Sequence, residues 1–72
     1  MKNLALKPRE AYRLMFPDYP DVVGIAELQS MLGVGRKLAY RLISEGKIEA
    51  LQIGRTYKIP KANVIAYLTR QT

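Results

Sequence analysis

The chain has 72 residues, with twelve Lys and Arg against six Asp and Glu, no His and no Cys, for a net charge of +6. That length allows one domain, and without Cys or His there is no disulfide, no ordinary zinc-ligand set and no imidazole base. The surplus is uneven, with four basic against three acidic residues up to position 21 and eight against three after it, so the second part either meets a polyanion or carries an ordinary basic surface.

No apolar run approaches the ~20 residues of a membrane span. The N-terminus has neither a continuous apolar region nor a small-residue cleavage site. A cytoplasmic protein with no leader and no membrane contact is therefore expected.

The first seven residues carry no pattern. Pro8 suits the first turn of a helix, where its missing N–H costs nothing. Ala11 and Met15, and Tyr12 and Phe16, stand four apart and form one apolar flank. A short helix is predicted over 8–16, ended by Pro17 and Pro20. So short a helix is unstable alone, and is expected to pack on the domain's own core rather than on another copy. Residues 1–21 thus form an extension, and residues 22–70 the domain.

Val22 and Val23 read as an extended entry. Gly24 can cap a helix over 25–32, with Glu27 at its third position, where a carboxylate favours the helix N-terminus. Ile25, Leu28, Met31 and Leu32 form its inward stripe. Gly33 breaks this helix and supplies a positive φ. Only Gly33 and Val34 precede the next cap, Gly35, which forces the two helices to cross. From Arg36 to Glu45 the second helix turns Ala39, Leu42 and Ile43 to the core, with Val34 beneath them. Arg36, Lys37, Tyr40, Arg41 and Ser44 take the other side, and Leu38 falls on the border. Gly46 stops it.

The period then changes. Residues 48–53 and 56–59 are β-rich and alternate over Leu51/Ile53 and Tyr57/Ile59. Gly54-Arg55 between them is a glycine-first loop suited to a type II′ hairpin turn. A last helix starts at Pro60 or Lys61 and covers the core with Val64, Ile65 and Leu68, while residues 69–72 are expected to fray. The predicted fold is mainly α with a small β-hairpin: a winged helix-turn-helix of three core helices plus a short N-terminal helix. A hairpin behind a basic helix is a wing, and such a helix carries its charge where a DNA groove would receive it.

Residues 23–68 resemble the winged helix-turn-helix domain of excisionases from phages and conjugative transposons, a relative of the DNA-binding part of mercury-resistance-type regulators. The likeness is carried by the run from Ile25 to Leu32, the turn and helix from Gly33 to Ile43, the stop Glu45-Gly46-Lys47-Ile48, the wing from Ile53 to Ile59, and the closing helix through Val64 and Leu68. The chain departs from the family at Gly24 and Gly35, where Ser or Thr is usual. The resemblance implies binding to double-stranded DNA, with no catalysis and no cofactor.

On this reading the helix from Arg36 to Ser44 lies in the major groove. Arg36 and Lys37 address base edges, and Tyr40, Arg41 and Ser44 reach a base or the flanking phosphates. Arg55 at the wing tip, with Thr56 and Lys58, meets the adjacent backbone or minor groove. Lys47 and Lys61 are secondary phosphate candidates, or solvated surface lysines. The expected role is that of an excisionase that bends the ends of a mobile element and assists an integrase or other recombinase, with several copies bound cooperatively side by side. Alternatives are a small transcriptional repressor and a protein-interaction module that sets its basic face on an acidic protein. With no His or Cys, scattered acids and no phosphate-loop glycines, an enzyme is not expected.

Overall fold

A computed structural model describes residues 8–70; the expectations for residues 1–7 and 71–72 lie outside the described residues. The elements run α1 (Pro8–Leu14), β1 (Val22–Val23), α2 (Ile25–Leu32), α3 (Arg36–Ser44), β2 (Leu51–Ile53), β3 (Thr56–Pro60) and α4 (Lys61–Thr69). The strands form an antiparallel sheet in the order β1-β3-β2. This is a winged helix-turn-helix, mainly helical, with β2 and β3 as the wing.

The core lies where α2, α3, α4 and the inner sheet face meet. Leu28, Ile48, Ile59 and Val64 are fully buried, joined by Val23, Met31, Ala39 and Leu42. Each large aliphatic side chain removed from water this way contributes about 1.5–3 kcal/mol. Ala39 is as buried as Leu28, and its single methyl lets α3 pack closely on α2.

The turn between those helices is held by backbone geometry. Gly33 sits at φ 68, ψ 37, in the left-handed region, and its N–H bonds to the Gln29 carbonyl. The Val34 N–H reaches the same carbonyl at 3.1 Å. A side chain at Gly33 would be strained in that conformation, as the sequence predicts. At the other end of α3, the Gly46 N–H bonds Ile43 O at 3.0 Å and the Lys47 N–H bonds Leu42 O at 2.9 Å. These are the paired bonds of a Schellman motif.

The two helix caps differ. The Glu27 carboxylate accepts the Gly24 N–H at 2.9 Å, the half of a capping box open to a glycine. Gly35 has extended backbone and no side-chain cap bond on α3, and a Cβ added there would meet nothing within 4 Å. Gly35→Ser is therefore expected to stabilise the domain by about 0.5–1 kcal/mol, through a new cap and a less free unfolded chain. Thermal denaturation will show this as a rise of a few degrees. Gly24→Ser should gain less, since its Cβ would meet Glu27 Oε1 at 3.2 Å; equal gains at the two sites would contradict this account.

Four local expectations need correction. Helix α1 stops at Leu14, two residues short of the predicted end, because Phe16 turns to φ 54. That conformation costs about 1 kcal/mol or more for a residue with a Cβ. It is held by an edge-on contact of the Phe16 and Tyr19 rings at 5.8 Å and by bonds to the Phe16 carbonyl. Val22 and Val23 form a strand rather than a mere entry, pairing with Pro60 and Ile59. Strand β2 begins at Leu51, not Ile48, because the Schellman turn carries Ile48 into the core, where it is 2% exposed. The Asn63 amide then takes the Glu49 carbonyl at 3.0 Å. At the far end α4 runs on through Thr69, whose hydroxyl donates to Ala66 O at 3.2 Å.

The N-terminal helix packs on the domain, as expected. Ala11 is 1% exposed against α4. The clasp is Lys61, predicted to be a surface lysine or phosphate contact and instead only 5% exposed. Its ammonium donates to Phe16 O at 3.2 Å and Tyr19 O at 2.9 Å. It also lies 4.9 Å from the centre of the Tyr12 ring, a cation–π distance. The Lys61 backbone N–H bonds Asp21 O at 2.7 Å, and the Asp21 carboxylate accepts the Tyr12 hydroxyl. That last bond, with some desolvation, raises the Tyr12 phenol above its ordinary pKa. Its contribution is complete at neutral pH and is lost as pH rises past the tyrosine range.

Candidate nucleic-acid interface

On α3 the buried residues are Ala39 and Leu42, three apart. At 100° per residue this leaves Lys37, Arg41 and Ser44 (i, i+4, i+7) as the stripe pointing most directly away from the core. All three are exposed. The Ser44 hydroxyl donates back to Arg41 O at 3.1 Å, so it is occupied within the helix.

Arg36 and Tyr40 lie on the flank of α3 nearer the wing. Arg36 Nη2 donates to Tyr40 Oη at 3.3 Å, and the guanidinium carbon stands 5.3 Å from the centre of the Tyr40 ring. The Tyr40 ring meets Tyr57 of β3 edge-on, with centroids 5.8 Å apart and planes at 65°.

The wing owes its shape to its turn. Ile53 pairs with Thr56, leaving Gly54 and Arg55 as a two-residue loop. Gly54 has φ 61, and Arg55 is not among the residues with positive φ. That pattern fits the predicted glycine-first turn and excludes type I′, which needs positive φ at both positions. The Thr56 hydroxyl donates to Ile53 O at 2.9 Å and closes the loop. Arg55 is left exposed at the tip.

Because Leu51 pairs with Lys58 and Ile53 with Thr56, these four share one sheet face, while Tyr57 and Ile59 take the other. The two alternations therefore face opposite ways. Ile59 is buried, and Leu51 and Ile53 are 63% and 54% exposed. Leu38, the border residue of α3, is also exposed.

One open groove runs between the start of α2, the wing side of α3 and β3. Arg36, Tyr40, Arg55, Thr56 and Lys58 all line it, so five of the eight predicted site residues converge there. Lys37, Arg41 and Ser44 lie on the adjoining exposed face of α3. The groove also takes in Gln29 and Tyr57, which sequence reasoning did not select. Gln29 carries no charge to mark it, and in sequence Tyr57 shows only as part of a strand alternation. Exposed Arg36, Arg55 and Lys58, with no carboxylate among the lining residues, leave the groove positive.

A basic helix behind a helix–turn, flanked by a basic wing, is the architecture of a DNA-binding helix-turn-helix. The family model for the helix-turn-helix domain matches residues 22–72, and the chain belongs to that family. It is also similar to a protein described as a "Probable excisionase" from Saccharopolyspora erythraea, with 37% identity over 46 residues. That match covers 64% of this chain and 47% of the relative, so the chain aligns with about half of the relative's length. No solved structure matches the chain significantly. Among the described residues no helix is long and apolar enough to cross a membrane.

Proposed function

We propose that this protein binds double-stranded DNA sequence-specifically, with α3 in the major groove and the wing against the neighbouring backbone or minor groove. The observation that carries the reading is the convergence of Arg36, Arg55 and Lys58 on one groove from two separate elements, beside the exposed stripe of Lys37 and Arg41. Arg36 and Lys37 address base edges, where an arginine fork matches guanine O6 and N7. Tyr40 and Arg41 reach a base or the flanking phosphates, and Ser44 lies at the far end of the same stripe. Arg55 and Lys58 neutralise phosphates, and Thr56 holds the wing turn in shape.

The role is that of an excisionase, supported by the similarity to a protein of that description. The module does no chemistry of its own. It binds near the ends of a mobile element, bends the DNA and assists an integrase. Several copies on neighbouring sites compensate for the modest affinity of one small module.

Neutralising about five phosphates should make log K fall with log salt at a slope of about −4 to −5. Titrating a labelled duplex at several salt concentrations measures this, and a slope near zero would reject the groove model. The excisionase role is tested by adding the protein to an integrase and a DNA carrying both element ends. Excision that is no faster with the protein than without it would reject that role and leave DNA binding standing.

A further inference from the structure

We propose that Tyr57 is a positioning residue for base reading: its ring holds Tyr40, and through Tyr40 orients the Arg36 guanidinium toward the DNA. This rests on α3 being the groove helix.

The argument starts from how α3 and the wing are joined. Among the described residues α3 packs on α2, with no comparably close backbone packing against either wing strand. Side chains must therefore set the spacing between them. The edge-on Tyr40–Tyr57 pair, at 5.8 Å, is a ring contact that spans this gap. Tyr57 can serve as a fixed point because it is half-buried, packs against the core and stands two residues before fully buried Ile59.

Tyr40 in turn holds Arg36, which lies over its ring and donates one N–H to its hydroxyl. A guanidinium has five N–H donors, so four remain for a base edge. An arginine held against a ring and its hydroxyl before binding has less rotamer freedom to lose when it engages a base. The wing thereby acts on a contact made by α3 without itself touching that base.

The test compares wild type, Tyr57→Leu, Tyr57→Phe and Arg36→Ala on a duplex and a set of single-base-pair variants of it. Arg36→Ala first identifies the base pair whose discrimination depends on Arg36. Tyr57→Leu is expected to cut discrimination at that pair by roughly three- to tenfold, the worth of one aromatic pair, with the salt slope unchanged. Tyr57→Phe keeps the ring and should match wild type. A purely structural tyrosine would instead weaken binding to every duplex alike. Unchanged or evenly reduced discrimination in Tyr57→Leu overturns the proposal, as does a wild type with no Arg36-dependent preference.

If the leucine variant does not fold, the wild-type protein still decides the matter by NMR. The Nε–H order parameter of Arg36 should exceed those of Arg41 and Arg55, and equal disorder in all three overturns the proposal. A wild type whose affinity ignores salt rejects the groove reading itself. Retained discrimination in Tyr57→Leu rejects the positioning role alone.

Discussion

Lys61→Ala is expected to lower the stability of the domain by about 3 kcal/mol, an unusually large loss for a lysine. The buried ammonium holds the Phe16 and Tyr19 carbonyls, and hydrogen bonds to a charged group contribute about 1.5–3 kcal/mol each. Removal of its desolvation cost offsets part of that, and the lost stem leaves a gap against Tyr12. Total stability for a chain of this size is only roughly 4–11 kcal/mol, so the melting temperature should fall by more than about 10 °C. Lys61→Met keeps the stem volume and should lose about half as much. Lys47, exposed in the turn after α3, is the control. If Lys61→Ala melted within a degree or two of Lys47→Ala, the clasp would not hold the extension.

The second large effect concerns DNA. Arg36→Ala should cost about 1–3 kcal/mol at one base pair and relax preference there, while Arg55→Ala should weaken all sequences alike and reduce the salt slope by about one. Competition binding with single-base-pair variants separates the two patterns. If both substitutions left affinity intact, the assignment of these arginines to the DNA face would be wrong.

The parts of the fold that were legible in the sequence are those fixed by local stereochemistry. Gly33 between two apolar stripes dictated a left-handed turn, Gly46 a helix stop, and Gly54 the wing loop. Features that depend on distant partners were not legible. Two valines are too few to announce a strand, and β1 exists only because Ile59 and Pro60 lie beside it. A lysine at the start of a helix reads as solvated. The carbonyls that bury Lys61 belong to residues 42 and 45 positions earlier, in a loop whose left-handed Phe16 no residue type foretold.

The candidate site divides the same way. Arginines and lysines at helical spacing could be assigned to an outer face from periodicity alone. The meeting of Tyr40 with Tyr57 joins two elements through space, so no local pattern encodes it.

Helix α3 keeps its fold-bearing and outward-facing positions on different residues. Ala39 and Leu42 fix it to the core, while Arg36, Lys37, Arg41 and Ser44 are exposed. Exchanges at exposed positions typically shift stability by no more than about 0.5 kcal/mol. If α3 is the groove helix as proposed, a new target sequence can be acquired by substituting outward residues one at a time, every intermediate remaining folded. Tyr40 is the exposed-side position tied to another element, through its ring contact with Tyr57 of the wing, so an exchange there also disturbs the seat of α3 against the wing.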